Sequence, residues 1–296
     1  MTWRAAMAAA FVATVGRAPW WLTALATFLV RGGVLALLPA ILITPTPAQL
    51  AVHLDPSLTG DAPGALTPTL VELAVRTILA LAIVLLATTA LGAWLEGRLV
   101  EAVATDRRLE AISSPHRLPL AAAIAARLMA HLQTLAATVL GGLAIGEAIY
   151  AELVSPSGPG SLPARVAAQA PLAVVAVALA WLLGEAWGGS AIRRLARGEL
   201  LGRSIRRGLV DVVRPAGLAT LAVSSVAVAL AAAALWIVAS GAYERLWPLV
   251  VDRADSWTIA IALCGFVVAW SIGLWLLAIG LAFRSAAWTA EHLRHP

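Results

Sequence analysis

Two consecutive stretches of this 296-residue chain decide its fold. Residues 188–215 read GGSAIRRLARGELLGRSIRRGLVDVVRP, and residues 216–240 read AGLATLAVSSVAVALAAAALWIVAS. The first stretch carries seven Arg, whereas the second has no charged residue. A helix needs about 20 apolar residues to cross the bilayer core. An arginine-rich segment beside an apolar run of that length is typical of a membrane protein whose basic segment stays in the cytoplasm.

The same alternation covers the whole chain. All 21 basic residues are Arg, and 16 of them lie in four segments, 1–21, 95–131, 188–215 and 282–296. Hydrophobic residues make up 61% of the chain, against roughly 45–50% in a typical soluble domain. We therefore predict an all-α membrane helical bundle, a single integral membrane domain over residues 1–296. Six transmembrane helices are expected at about 21–43, 71–94, 132–151, 167–187, 216–240 and 258–281. The predicted localisation is the cell membrane, as a multi-pass protein with both termini in the cytoplasm.

A weak internal repeat divides the chain into three units. An Arg and a Pro precede the odd-numbered spans, and a Trp follows the even-numbered ones. These motifs are Arg17-Ala18-Pro19, Arg117-Leu118-Pro119 and Arg214-Pro215, then Trp94, Trp187 and Trp288. Leu91-Gly92-Ala93-Trp94 also resembles Leu183-Gly184-Glu185-Ala186-Trp187. The pattern predicts three tandem helical hairpins with one orientation. The alternative is that Arg-Pro and Trp only mark the membrane interfaces.

Two segments are predicted to form amphipathic helices at the cytoplasmic surface. In the first, Trp3, Met7, Phe11 and Val15 form one helical stripe, which favours an interfacial helix over a signal peptide. In the second, an apolar face alternates with a basic face. The apolar face has Leu201, Ile205, Leu209 and Val212, and the basic face has Arg203, Arg206, Arg207 and Arg214. That basic face either contacts a cytoplasmic protein partner or binds anionic membrane lipid.

Arg31 is the most informative single residue, because it lies in the middle of the first predicted span, within LVRGGVLAL. A charge at mid-bilayer costs about 2.5–3.5 kcal/mol on insertion scales and is expected to face a partner inside the protein. The predicted partners are Glu147 and Glu185. In the repeat, His131 is equivalent to Arg31. These residues predict either a site for an anion or lipid headgroup on a translocation path, or a structural ion pair.

Other polar residues in the spans have simpler interpretations. Arg76 lies near Glu72 at the outer end of the second span, where its side chain can extend to the headgroups. It is kept as a further ligand or ion-pair candidate. Small residues predict close helix packing at three glycine pairs. These pairs are Gly142 with Gly146, Gly184 with Gly188, and Gly273 with Gly280. Cys264 lies in an apolar run and is expected to be a buried thiol.

Catalytic chemistry has little support in the sequence. The chain has no HExxH, GxSxG or Walker A motif, so we assign no catalytic residue, no metal and no cofactor. His53 and Asp55 on the first outer connection leave open a lipid-modifying enzyme. The net charge of +5 comes from cytoplasmic Arg and not from a basic domain interleaved with aromatic residues. No binding to nucleic acid is therefore expected.

At the level of architecture, the layout resembles bacterial six-span inner-membrane proteins and the membrane subunits of ABC-2-type exporters. Those exporter subunits have cytoplasmic termini, an N-terminal interfacial helix and cytoplasmic elements that contact an ATPase. The resemblance implies a transport-related subunit that handles an amphiphile or anion and engages a cytoplasmic partner such as an ATPase. The alternatives are a non-catalytic membrane scaffold or assembly factor, and a lipid-modifying enzyme. No pattern in the sequence specifies the substrate or the oligomeric state.

Overall fold

A computed structural model describes residues 2–33, 37, 68–106, 118–155, 157, 162–252 and 255–294. All secondary structure within these ranges is helical. The helices are α1 (Trp3–Val15), α2 (Ala18–Phe28), α3 (Pro68–Ala104), α4 (Leu120–Ala130), α5 (Leu132–Val154), α6 (Leu162–Gln169), α7 (Pro171–Leu195), α8 (Leu201–Val213), α9 (Pro215–Val251) and α10 (Ser256–Leu293). A π-helical turn, Leu29–Gly33, follows α2 directly.

Five helical segments are long and apolar enough to cross a membrane, so the fold is that of a multi-pass membrane protein. They are Ile83–Ala104, Leu120–Glu152, Pro171–Leu195, Pro215–Val251 and Ser256–Leu293. The predicted first span, 21–43, is described only up to Gly33 and at Leu37. The rest of that span lies outside the described residues, so the count of six stays a prediction.

Several helices extend well beyond the predicted spans. α9 continues to Val251 and α10 begins at Ser256, which leaves a short connection where a loop over 241–257 was expected. At the other ends, α3 reaches Ala104 and α10 reaches Leu293. Hydropathy marks the membrane edge and not the helix end. The residues past that edge are rich in Ala, Leu, Glu and Arg, which are strong helix formers.

Neighbouring helices pair in the order that three hairpins require. α2 lies against α3, α5 against α7, and α9 against α10. In the second hairpin, the buried carboxylate of Glu152 accepts hydrogen bonds from Arg165, Gln169 and the Ser157 backbone N–H, which closes the end near α6. That the three hairpins are repeats of one another stays a prediction.

The packing around glycines differs between the hairpins. A Cβ at Gly273 would lie 2.3 Å from Leu235 Cδ1, so α9 and α10 touch there. Gly142 and Gly146, which the sequence also predicts to be packing glycines, have no atom within 4 Å of an added Cβ. The prediction of close packing at that pair is therefore wrong for this chain. Cys264 is also exposed on α10, and not buried as expected.

Both amphipathic helices dock on the bundle. α8 packs against α7, where the Trp187 indole N–H donates to the Ile205 carbonyl at 2.7 Å. The close approach of the two backbones requires Gly208, since a Cβ there would lie 2.9 Å from the Ala191 nitrogen. α1 packs its alanine face against α10, whereas Phe11 and Val15 of its predicted apolar stripe are exposed. The basic face of α8 is left exposed.

Candidate functional site

A cluster of charged side chains lies where the first two predicted hairpins meet α10. Its members are Arg31 on the turn after α2, Glu96 on α3, Arg127 on α4, His131 at the junction of α4 with α5, Glu185 and Arg193 on α7, and Arg284 on α10. Two of them, Arg31 and Glu185, form a pair that the sequence predicts. We call this group of seven residues the charge cluster.

Arg31 stands where the helical path of α2 breaks. Its own backbone leaves the helical region at φ −82° and ψ 19°, and Gly32 follows with φ +90°. A residue with a side chain rarely adopts that left-handed angle, so glycine is required immediately after Arg31. The break ends the helix and lets the Arg31 side chain turn towards α3 and α7. There it donates to the Gly92 carbonyl at 3.1 Å and contacts Glu96.

The neighbours of Arg31 lie near the predicted inner ends of two spans. Gly92 and Glu96 flank Trp94, and Glu185 lies two residues before Trp187. α2 runs alongside the C-terminal extension of α3, where Arg17 donates to Asp106 at 3.1 Å. The candidate span Ile83–Ala104 nevertheless extends beyond Glu96, so the mid-bilayer depth of Arg31 stays a prediction.

Two carboxylates hold the charge cluster together. The Glu96 carboxylate contacts both Arg31 and Arg127 and lies 3.6 Å from Arg193 Nη1. The Glu185 carboxylate accepts from Arg31 Nη1 at 3.1 Å and lies 3.3 Å from Arg127 Nη1 and 3.2 Å from His131 Nε2. Buried charges are tolerated when each has such partners.

Arg193 is fully bonded within this arrangement. Its Nε donates to Thr289 Oγ1 at 3.0 Å, its Nη1 to the Gly189 carbonyl at 2.8 Å, and its Nη2 to Ser285. The side chain is 5% exposed. Arg193 thus fastens α7 to α10 at the level of the charge cluster, although its sequence context predicts only a cytoplasmic segment.

Glycines provide the space for the cluster's long side chains. A Cβ at Gly92 would lie 2.8 Å from Arg31 Nε, and a Cβ at Gly184 would lie 2.7 Å from His131 Nδ1. Gly92 and Gly184 occupy matching places in the two sequence stretches that resemble each other, and Arg31 and His131 are matching positions in the predicted repeat. In each of these two hairpins a glycine therefore lies under the side chain of Arg31 or His131.

A cavity of about 80 Å³ adjoins the charge cluster. Its lining combines apolar residues, among them Phe28, Leu99, Trp181 and Leu281, with charged members of the cluster. That volume has room for a few waters or one small polyatomic group. A cavity lined by both apolar and charged side chains suits an amphiphilic molecule or an anion.

The remaining predicted site residues do not join the cluster. Glu147 is exposed on α5 and makes no hydrogen bond or ion pair within the described part of the chain, so it is not the partner of Arg31. Arg76 pairs with Glu72 at the surface of α3. His53 and Asp55, the basis of the enzyme hypothesis, lie outside the described residues.

The predicted contact residues on α8 are solvent-facing. Arg203, Arg206, Arg207 and Arg214 are all exposed. Two of them make long ion pairs, Arg207 with Glu199 at 3.7 Å and Arg214 with Asp211 at 3.5 Å. The basic face is therefore available for a partner or for anionic lipid.

Behind that face, Asp211 connects α8 to α7 and α10. It accepts a bidentate pair from Arg194, at 2.6 Å and 2.8 Å, and lies 3.3 Å from His292 Nε2. Burial alone would raise the pKa of Asp211, but the contacts with His292 and Arg194 outweigh it and hold that pKa well below its usual range. His292 is thus part of the polar network around Asp211. Within the described residues no group of three or more His, Cys, Asp or Glu could hold a metal ion.

Four members of the charge cluster were not identified from the sequence: Glu96, Arg127, Arg193 and Arg284. They lie at the ends of apolar runs, where charge usually marks the membrane edge. The sequence signal that could have pointed to them is glycine, since Gly188, like Gly92 and Gly184, faces the side chain of an Arg or a His. A Cβ on Gly188 would lie 2.9 Å from Arg127 Cδ.

Comparison of the chain with protein-family models, with curated proteins and with solved structures finds no significant match. Only the chemistry of the site therefore points to a function.

Proposed function

We propose that the protein is a transport-related membrane subunit that handles an anion or an anionic amphiphile and engages a cytoplasmic partner, such as an ATPase, through α8. The single observation that carries this proposal is the cavity, whose lining combines four Arg with apolar side chains. Charged residues inside membrane bundles are expensive and usually mark a substrate or ion pathway. In this proposal the bundle has six spans, and both termini are cytoplasmic.

The cytoplasmic partner is proposed from the way α8 is held. Its apolar face is buried on α7, and Asp211 ties it by a bidentate pair to Arg194 on α7. Arg193, the preceding residue, reaches the charge cluster. A partner that displaced α8 would therefore act on the end of the helix that borders the cavity.

Transfer of a labelled lipid tests the transport function. The protein, with any subunit that copurifies, is reconstituted with ATP into vesicles that contain a trace of fluorescent-tailed phosphatidylglycerol. Dithionite then bleaches the label in the outer leaflet, and we expect bleaching to continue as the inner pool crosses. Fluorescent phosphatidylcholine should cross more slowly. Bleaching no faster than in protein-free vesicles would reject transfer of this amphiphile.

A cavity-filling variant links that transfer to the site. Leu281 lines the cavity, so Leu281→Trp should slow the transfer several-fold without removing a charge. Leu276→Trp is the matched control, because Leu276 is exposed on the same helix. Equal rates in the two variants would place transfer elsewhere in the protein.

A non-catalytic scaffold is the second candidate function, and the exposed basic face of α8 favours it. In that case, replacing Arg203, Arg206 and Arg207 by Gln should release a copurifying protein or anionic lipid in native mass spectrometry, while wild-type vesicles show no transfer. Transfer by the wild-type protein would reject the purely structural role.

A further inference from the structure

We infer that the cavity binds a phosphate group, either inorganic phosphate or the phosphate of a lipid headgroup, with Arg284 as its principal ligand. This inference rests on the proposed function, because it names the chemistry of the group that the same cavity would handle. Arg284 lies on α10, lines the cavity and is half-buried. The sequence alone points to Arg31 and not to Arg284.

The cavity wall carries an excess of positive charge. The charge cluster has four guanidinium groups, on Arg31, Arg127, Arg193 and Arg284, and two carboxylates, on Glu96 and Glu185, all lining the cavity. Four positive charges less two negative charges leave an excess of two. A buried excess of charge is unfavourable unless a counter-ion neutralises it. The counter-ion for this cavity is an anion.

Hydrogen bonding separates Arg284 from the other arginines. Arg31 and Arg193 donate to carboxylates, carbonyls and hydroxyls of the protein. Arg284, in contrast, makes no hydrogen bond and no ion pair within 4.0 Å to any residue that the structure describes. Its charge is balanced only at longer range, by Glu185 and Glu96, and is opposed there by Arg127 and Arg31.

Two residues of the cavity lining have a further donor without an acceptor. The Nε of Arg127 is buried and has no hydrogen-bond partner among the described residues. The indole N–H of Trp288 is likewise buried without a partner, and Trp288 lines both this cavity and a smaller one beside Asp211. Unpaired buried donors are rare, so the residues around the cavity hold more donors than acceptors. The missing ligand is therefore rich in acceptor oxygens.

Size and charge select phosphate among oxygen-rich anions. A cavity of about 80 Å³ admits one compact oxyanion. A carboxylate would neutralise one of the two excess charges, whereas a phosphate monoester or inorganic phosphate carries up to two. Guanidinium groups bind phosphate through paired N–H donors. The apolar residues of the lining would contact acyl carbon if the phosphate belongs to a lipid.

Arg31 has a different role in this arrangement. Its guanidinium group is committed to Glu96, Glu185 and the Gly92 carbonyl. It holds those carboxylates towards the protein and away from the ligand. Arg31 is thus a positioning residue.

Direct binding of two probes tests the inference. The full-length protein is purified in maltoside detergent and in phosphate-free buffer. Inorganic phosphate is titrated by calorimetry, and short-chain phosphatidic acid by native mass spectrometry. We expect saturable binding of at least one probe and at least about tenfold weaker binding by Arg284→Gln, since charge-assisted hydrogen bonds are lost. Arg284→Lys, which keeps the charge but loses the paired donors, should be intermediate.

Arg98→Gln is the control, because it removes an exposed Arg from α3, away from the basic face of α8, and should bind both probes as the wild type does. Arg284→Gln should also keep or raise the thermal midpoint, because Arg284 has no bond to lose, so weak binding cannot be ascribed to unfolding. Tight phosphatidic acid with weak inorganic phosphate identifies the lipid headgroup as the source. Mutual competition at similar affinity identifies free phosphate.

The opposite results would overturn the inference. They are no binding of either probe, equal binding by wild type and Arg284→Gln, or equal binding of acetate and phosphate. The transfer assay distinguishes the two proposals. Phosphate binding without lipid transfer keeps this inference and rejects transport, whereas transfer that persists unchanged in Arg284→Gln keeps transport and rejects the phosphate site.

Discussion

The Glu185 carboxylate is the counter-charge that Arg31, Arg127 and His131 share. Glu185→Gln leaves the two guanidinium groups with Glu96 alone, and breaking a buried pair in this way costs about 3–5 kcal/mol. We expect a markedly lower thermal unfolding midpoint in detergent, measured by tryptophan fluorescence. Glu147→Gln is the matched control, because Glu147 is exposed and should change the midpoint little. Equal effects would mean that the Glu185 contacts do not stabilise the fold.

Gly92 allows a second test at the residue scale. An added Cβ would lie 2.8 Å from Arg31 Nε, so Gly92→Ala must displace the Arg31 side chain from Glu96. We expect a loss of about 1–3 kcal/mol, as for overpacking of a core, and a lower thermal midpoint. Gly142→Ala serves as control, because no atom lies within 4 Å of its added Cβ. It should be neutral or slightly stabilising, since Ala favours the helix.

At the scale of elements, α8 depends on one carboxylate for its attachment. Asp211 has a depressed pKa because its contacts with His292 and Arg194 outweigh the effect of burial. Its stabilising contribution is therefore present above the pKa of an unfolded Asp, about 3.9, and is lost as the pH falls through the lower folded value. We expect the thermal midpoint of the wild type to fall as the pH is lowered below about 4.

Comparison with Asp211→Asn isolates this contribution from that of other carboxylates. The variant should have a lower midpoint at about pH 7 and a shallower decline in acid, and the two curves should converge at low pH. Glu244→Gln, an exposed change on α9, should leave the wild-type curve unchanged. Parallel curves for wild type and Asp211→Asn would show that α8 is held by its apolar face alone.

Elements differ in how far their sequences predict them. α8 was predicted within a residue or two, because its apolar and basic residues alternate with a clean helical period. The contacts of α8 with other helices were not predicted, because an apolar face fits a membrane surface and a neighbouring helix equally well. The helix ends at Val251 and Leu293 were missed because hydropathy reports lipid contact, and helix formation continues beyond it.

For the whole molecule, the pairing of Arg31 with Glu185 was predicted and that with Glu96 was not. Glu185 was proposed because it lies inside an apolar span. Glu96 lies two residues past Trp94, where charge usually marks the membrane edge, and the sequence did not single it out. The order in which helices pack decides between such partners, and no periodicity in one helix encodes it. The same holds for Arg284, whose lack of a bonded partner among the described residues is visible only when α10 is placed beside α3, α4 and α7.

Orientation is the whole-molecule property that the charge pattern predicts most directly. Arginines crowd the segments that contain α8 and the C-terminal turn of α10, which should therefore face the cytoplasm. A cysteine-labelling experiment tests this. In a Cys264→Ala background, Arg203→Cys on α8 should react with a membrane-impermeant maleimide only from the cytoplasmic side. Ser157→Cys, at the other end of the second hairpin, should react only from the opposite side. Both positions are exposed.

The labelling result also decides from which leaflet the phosphate group reaches the cavity. Glu96 lies two residues from Trp94, Glu185 two from Trp187, and Arg284 four from Trp288, so the charge cluster lies beside the Trp residues that predict the inner membrane edge. If Arg203→Cys is labelled from the cytoplasm, the phosphate group enters from the inner leaflet or from the cytosol, next to the surface proposed for the partner. Labelling of Arg203→Cys from outside would reverse the topology and separate the cavity from any cytoplasmic ATPase. Labelling of both positions from one side would contradict the hairpin itself.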